Sequence, residues 1–396
     1  MNQHIALLKH NKTIRILALI QLICYFGAWF SHVGIFTLLI NLNAATWMIG
    51  LTAASAYIPS VILAPFAGVI IDRFRAYPLF FIFMFIEAIT VILLLLVDSL
   101  EWFWFLQLMV FIRMGTAGIY FQVEMSLLPR ILSKDDLKIA NEIHSIIWAL
   151  SYTLGMAFAG LFVAKYGVYN SFIFDFLIYI VGIALLIKLN LKENKKSTQQ
   201  KAIHMIVQGF IYLKNNPFLI KLLLLHGFVA VTTYDTLIGI LAKVNYKEIL
   251  SASLTIGVLN TIRAFGLIVG PFVLSKFVNS KNLFYIFIAQ GVGLISWGLL
   301  QGNFYLSFIG LFVTGLTTST LWSYTYTLVQ NVCDSKFYGR VIAYLDMIYL
   351  GIAAITSILV GFLYDLGLPA WLITVLMGVH FIIAALYYTK NIYHKL

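Results

Sequence analysis

The sequence predicts an all-α integral membrane fold of twelve transmembrane helices in two six-helix bundles, on the evidence of its composition, the length of its apolar runs and the placement of its charges. The 396 residues are 62% hydrophobic and 10% charged, with a mean hydropathy of +0.95. Ordinary soluble domains are about 45–50% apolar and about 25% charged, so a water-soluble fold is excluded. The apolar runs reach about 20 residues or more, enough to cross a hydrocarbon core about 30 Å thick with each backbone group paired inside its own helix. The polar start passes directly into the first apolar run with no small-residue cleavage site before it, so the first span is expected to direct insertion. Cys24 and Cys333 are too few and too far apart for a disulfide framework or a metal cluster.

Punctuation by turns, prolines and charges places the spans at about 14–40, 46–71, 78–97, 101–127, 139–164, 169–189, 217–244, 252–275, 281–301, 303–329, 336–363 and 368–389. The net charge of +11 would suit nucleic acid only if the basic residues shared one face, and they are dispersed along loops; no nucleic-acid partner is expected. Of the 26 Lys and Arg residues, 21 fall in segments on the side of the amino terminus, and Lys165, Lys243 and Lys247 on the other; Arg113 and Arg263 lie inside spans. The positive-inside bias therefore places both termini in the cytoplasm of a cell whose inner (plasma) membrane the chain crosses many times.

The longest polar stretch, 190–216, divides the spans six and six. It separates an amino-terminal bundle, 1–189, from a carboxyl-terminal bundle, 217–396, and reads as a cytoplasmic linker carrying Lys192, Lys195, Lys196 and Lys201. Ile203, Ile206, Val207 and Phe210 recur there at helical spacing beside Lys201, His204 and Gln208, which predicts an amphipathic helix along the membrane surface. Pro65-Phe66 near the end of the second span recurs as Pro271-Phe272 near the end of the eighth, as expected of two related bundles around a midplane cavity.

Between the second and third spans the chain reads Gly68-Val-Ile-Ile-Asp72-Arg73-Phe74-Arg75. This resembles the loop 2–3 signature of the major facilitator superfamily. A small residue permits close helix contact, and a carboxylate with arginines at a helix end locks bundles by charge and dipole; Glu124 near the end of the fourth span could complete that gate. Leu128-Pro129-Arg130 through Asp135, Asp136, Ala140 and Asn141, and Gly339-Arg340-Val341, resemble loops of the branch holding macrolide-type drug exporters and a siderophore (enterobactin) exporter. Arg113-Met-Gly115-Thr-Ala-Gly118 resembles the buried-arginine context of many members. The fifth span departs from the family's exporters: Gly155-Met-Ala-Phe-Ala-Gly160 lacks their Gly-Pro, which puts the antiport label in question. The resemblance implies a secondary transporter that is monomeric, needs no cofactor or metal, and uses a gradient rather than ATP.

Ionisable residues inside spans cost about 2.5–3.5 kcal/mol each at a helix centre on insertion scales, so each is a functional candidate. They are His32, Glu87, Arg113, Asp175, His226, Asp235, Arg263 and Asp346. The family geometry would make Glu87 and Asp175 outer scaffold. Glu87 and Arg113 come at similar depth on adjacent spans, as a structural ion pair or as a proton-titrating carboxyl beside an anchor for anionic substrate. His32 and Asp235 fall at like depth in equivalent spans, and Arg263 and Asp346 offer a carboxyl-half counterpart. A carboxyl in low dielectric favours its protonated form and histidine titrates near neutrality, so such groups suit a coupling proton; hydrogen bonding that closes a mouth is the alternative. His226, alone on an apolar stretch, reads as a core residue. Aromatic residues are 16% of the chain. Trp102 and Trp104 read as boundary anchors, while Tyr25, Trp29, Tyr234, Trp322, Tyr324 and Tyr326 lie on spans that the family geometry places around the cavity, where they suit amphipathic cargo.

The expectation is proton-coupled efflux of amphipathic small molecules, drug or siderophore-like, by alternating access. An importer of the same fold for a siderophore, nutrient or metabolite is the alternative. A non-transporting membrane sensor is the alternative of another class, disfavoured by the lack of an output domain. No His-Glu-x-x-His, Gly-x-Ser-x-Gly or Walker motif supports an enzyme or an ATP-driven pump.

Overall fold

A computed structural model describes residues 2–189, 191, 202–334 and 336–395. In chain order its helices are α1 (Asn2–His10), α2 (Lys12–Asn41), α3 (Thr46–Ala54), α4 (Ile58–Arg73), α5 (Ala76–Leu93), α6 (Phe103–Ile131), α7 (Lys134–Tyr166) and α8 (Val168–Ile187). They continue as α9 (Ala202–Lys214), α10 (Pro217–Val229), α11 (Asp235–Ile240), α12 (Ala252–Leu274), α13 (Leu283–Leu300), α14 (Phe304–Val332), α15 (Tyr338–Asp365) and α16 (Ala370–Asn391). Among the described residues, twelve helical stretches are long and apolar enough to cross a membrane, from Lys12–Asn41 to Ala370–Lys395.

Local sequence starts and stops these helices. The Asn11 side chain accepts from Ile14 N at the start of α2, and Ser133 accepts from Asp136 N at the start of α7, where Asp135 and Asp136 face the positive end of the helix dipole. Gly167, at φ 86°, ends α7 and lets α8 turn straight back. Two predicted spans are broken. The second divides into α3 and α4 before Pro59, which sits in the first turn of α4 where its missing N–H costs nothing. The seventh breaks between α10 and α11 through a 3-10 turn at Ala230–Thr232.

The chain forms two compact units, 1–42 with 62–202 and 43–61 with 203–396. In the first, α2 packs between α7 and α8, and α5 between α6 and α8. Their shared core includes Leu17, Ile20, Phe80, Met84, Val123 and Leu186.

In the second unit α3 lies on α15. Ala45 has no side chain to cap α3, and Asp365 does so from α15: its carboxylate accepts from Trp47 N at 2.7 Å and from Thr46 Oγ1 at 2.6 Å. A close backbone approach joins α12 to α14, where a Cβ on Gly315 would stand 2.3 Å from Arg263 O and one on Gly270 would stand 2.2 Å from Leu316 O. Such contacts are how membrane helices gain packing energy when lipid is as apolar as their own side chains. The α9 helix docks on the junction of α14 and α15: Tyr212 stacks on Phe337 at 4.2 Å, and Gln208 Oε1 accepts from Arg340 Nη1 at 2.8 Å. Its other face presents Val207 and Phe210, both exposed. The linker residues Lys192, Lys195, Lys196 and Lys201, and the side chains of Ile203, His204 and Ile206, lie outside the described residues.

Gly315→Val should lower the thermal unfolding midpoint of the detergent-solubilised protein, because an overpacked helix crossing costs about 1–3 kcal/mol or more. Gly351→Ala, on α15 with open space around the added carbon, should leave the midpoint unchanged or raise it, since alanine favours a helix over glycine by about 1 kcal/mol.

Candidate coupling and substrate site

Three helices of the first unit turn polar stripes toward one another. On α2 Gln21, Cys24 and Ser31 share a face, on α6 Arg113, Tyr120 and Glu124, and on α8 Asp175 and Tyr179, each set at helical spacing. Arg113 Nη2 donates to Asp175 Oδ2 at 2.6 Å, and Arg113 and Asp175 both bond the Ser31 hydroxyl. Asp175 is fully buried and Arg113 is 5% exposed. Gly27 makes the room, since a Cβ there would stand 3.0 Å from Asp175 Oδ1. Glu87 stands beside this pair but outside it: its partner is the Tyr179 hydroxyl, which donates to Glu87 Oε2, and the Arg113 guanidinium lies 5.9 Å from the centroid of the Tyr179 ring. The buried set therefore holds two carboxyls and one guanidinium. The pair neutralises itself; among the described residues Glu87 forms no ion pair.

The structure pairs Arg113 with Asp175 rather than with Glu87, the ion pair being one of the two readings their like depth had left open, and it brings Asp175, expected on outer scaffold, into the buried cluster. Depth in the membrane is readable from sequence, but the direction in which α8 faces is not. The Asp175/Tyr179 spacing of four, matched to Ser31 on the first span, was the signal available.

Toward the end of the unit that carries the amino terminus, Glu124 is 3% exposed and lines a small cavity with Gln21 and His144. Arg73, which ends α4, and Arg75 just after it are exposed, whereas Glu124 is buried beside Gln21 and His144. The side-chain environment of Asp72, and the surroundings of Gly68, lie outside the described residues. Tyr25 and Trp29 pack on α7, Tyr25 edge-on to His144 and Trp29 against Tyr152 at 4.7 Å, the latter admitted by Gly155. His32 sits between Trp29 and Phe36.

In the second unit the break in the seventh span frees the Thr232 carbonyl, and Arg263 Nη2 donates to it at 2.8 Å while its guanidinium covers the Tyr234 ring at 4.7 Å. A side chain thereby satisfies a backbone group that lipid could not. Asp235 begins α11 directly after the break. Tyr234 is fully buried, edge-on to Trp297, with its hydroxyl accepting from Gln290 Nε2 at 3.1 Å, and Gln290 in turn accepts from Thr317 and Thr318. Tyr234 is thus enclosed by packing.

His226, fully buried, forms the centre of an aromatic group of Trp322, Tyr326 and Tyr349, with ring centroids 5.2–5.9 Å away. The Thr325 hydroxyl donates to Leu321 O, so it accepts from His226 Nδ1, which leaves Nε2 as a buried acceptor. Trp322 stacks on Tyr326, and Asp346 lies one turn from Tyr349 on α15, exposed at the rim, with Tyr326 inside its field. Tyr324 is half-buried on the same helix as Trp322. Of the sequence candidates, Trp322, Tyr326 and Asp346 share one neighbourhood; Arg263 and Asp346 are not bonded to each other by any described contact. Among the described residues no group of three or more His, Cys, Asp or Glu is placed to hold a metal ion.

Twelve apolar spans and buried ionisable groups held inside helical bundles define a membrane transporter. The sequence model of the Major Facilitator Superfamily matches residues 17–303, and the chain belongs to that family. It is 24% identical over 332 residues, 80% of each chain, to the Staphyloferrin A transporter of Staphylococcus aureus (strain NCTC 8325 / PS 47). It is also 24% identical over 224 residues to the uncharacterised MFS-type transporter YfiS of Bacillus subtilis (strain 168), covering 55% of this chain and 53% of that one. Among solved structures it resembles the nucleoside transporter NupG, with a TM-score of 0.74 at 15% identity over 97% of this chain and 98% of that one. A bacterial homolog of the human lysosomal transporter Spinster, in its inward-facing and unoccupied conformation, gives a TM-score of 0.73 at 15% identity over 95% of each. Both relate this chain by fold.

Removing one member of the buried pair should cost far more than removing both. Asp175→Asn or Arg113→Gln alone should lower folded yield and thermal stability by about 3–5 kcal/mol, whereas an Arg113→Met/Asp175→Leu double variant should recover most of it. Size-exclusion recovery after heating, compared across the four proteins, checks the order.

Proposed function

We propose that the chain is a proton-coupled secondary active exporter of amphipathic small molecules, siderophore-like or drug-like, working by alternating access in the plasma membrane with both termini in the cytoplasm. One observation carries the coupling: a carboxyl, Glu87, buried beside an ion pair that is already neutral, and held by a neutral hydroxyl rather than a cation. An isolated charge in that setting is costly, and gaining or losing one proton changes the net charge of the whole cluster. Substrate that alters the field of Arg113 and Asp175 would alter how readily Glu87 holds its proton, and this links cargo to proton. The relative named for staphyloferrin A transport favours a siderophore-like cargo. The aromatic group around His226, with Asp346 at its rim, suits cargo with apolar faces and polar edges. The surplus of Lys and Arg on one side of the spans favours cytoplasmic termini.

In liposomes containing the full chain and a pH-sensitive dye, staphyloferrin A and the lipophilic cation ethidium serve as probes. A probe gradient should move protons in the opposite direction in the wild type and not in Glu87→Gln. Probe movement with no proton movement would remove the coupling assignment; protons moving with the probe would make the protein an importer.

A further inference from the structure

The first unit holds a second buried polar cluster, which the Glu87 assignment does not use. Glu124 on α6, Gln21 on α2 and His144 on α7 meet at a cavity whose remaining wall is apolar, including Ile14, Leu17 and Ile143. Gln21 Nε2 contacts His144 Nδ1 at 2.5 Å. Glu124 Oε2 has no hydrogen-bond partner among the described residues although the residue is 3% exposed, and Gln21 is likewise 3% exposed. A buried carboxyl oxygen left bare is costly unless something fills its second site. The cavity volume is about 10 Å³, about the least that holds one water molecule, and a carboxyl, an amide and an imidazole give such a water the two to four polar partners it needs. A hard metal cation such as Mg²⁺ needs about six oxygen ligands, which this wall does not supply.

The cluster is also in line with the first one. Arg113, Tyr120 and Glu124 lie on one face of α6, and the eleven steps from Arg113 to Glu124 span about 16 Å at about 1.5 Å per residue. Tyr120 stands between the two clusters. Its hydroxyl is buried without a partner among the described residues, and it feels both Glu124 and Glu87. The titratable groups that face Glu124 are Tyr25 on α2, Tyr120 on its own helix and His144 on α7; Cys24 on α2 and Glu87 on α5 act on Tyr120. His144 is half-buried, so it reaches the surface that the other members do not.

We propose that Glu124, Gln21 and His144 hold one water molecule and form the station at which the coupling proton enters and leaves the first unit, at the end that carries the amino terminus. This rests on the proton-coupled reading above. The transfer conserves its parts: the Glu124 carboxyl gives its proton to the water, the water passes one of its own protons to the His144 imidazole, and a carboxylate and an imidazolium remain beside an unchanged water. Because Gln21 donates to neutral His144 at Nδ1, proton uptake there requires the Gln21 amide to turn over so that Oε1 accepts from the imidazolium. Gln21 is a positioning residue, able to serve both states with one side chain.

The test reconstitutes the full chain with staphyloferrin A or ethidium, whichever the wild type moves. It measures uphill transport driven by a pH gradient and probe exchange at equal pH on both sides. Glu124→Gln and His144→Gln should cut the pH-driven rate by about 100-fold, the scale of losing a positioned proton-transfer group, while exchange persists. A second readout needs no substrate: in protein with ¹⁵N-labelled histidine, assigned by His144→Gln, the titration midpoint of His144 should move in Glu124→Gln and in Gln21→Leu. Wild-type pH-driven rates in Glu124→Gln, or a His144 titration unchanged by it, would overturn the proposal while leaving Glu87 coupling intact. Uphill transport that follows Na⁺ rather than pH, and loses that dependence in Glu124→Gln, would overturn it as well. A wild type that moves either probe without protons would instead overturn the coupling reading on which it rests.

Discussion

A guanidinium near the middle of an apolar helical bundle must be neutralised where it stands, and in this chain the Arg113–Asp175 pair meets that demand. Desolvating two charges costs several kcal/mol per ion, which close geometry and hydrogen bonds at the remaining positions offset; of these positions Asp175 Oδ1 has no partner among the described residues. The Ser31 hydroxyl fills one, and Gly27 lets α8 come close enough for Asp175 to reach. With the pair balanced, a further ionisable group nearby adds a charge that the pair does not cancel. Glu87 is that group, and Tyr179, which donates to it, is on the same face of α8 as Asp175. Through Arg113, Asp175 and Ser31 that one electrostatic requirement ties α2, α6 and α8 together.

The second unit meets the same low-dielectric constraint with backbone rather than side-chain charge. Interrupting a helix inside a membrane exposes carbonyls that water cannot reach, and Arg263 answers one of them at Thr232 while resting on Tyr234. The Tyr234–Gln290–Thr317 chain then ties the broken span to α13 and α14. The two in-span arginines, alike in a sequence scan, therefore differ in role: Arg113 balances a carboxylate, and Arg263 caps a break.

The helices were legible because lipid imposes a simple rule, a long apolar run for each crossing, and the structure ends them close to where turns, prolines and charges had placed them. The break in the seventh span was not legible: Val231-Thr232-Thr233 is as apolar and β-branched as many unbroken stretches, and the interruption shows only through what Arg263 does. The identity of the buried pair was hidden for another reason. Depth along each helix can be counted, which brought Glu87 and Arg113 to the same level, but the rotation of α5 and α8 is set by packing among several helices. Asp175 consequently looked like scaffold, and His226, read as a core residue, is buried as expected yet carries an unpaired acceptor among aromatic rings. Aromatic residues on facing spans were readable as a group, but Tyr234 and Trp322, both aromatic and both on such spans, end fully buried and at an exposed rim.

The central claim, that Glu87 is the group whose proton responds to cargo, is tested most directly by infrared difference spectroscopy of the reconstituted protein before and after adding a transported probe. The account predicts that the probe weakens a protonated-carboxyl band in the wild type and in Asp346→Asn, and that this change disappears in Glu87→Gln. A carboxyl band that persists unaltered in Glu87→Gln, or a wild type with no carboxyl change on binding, would contradict it.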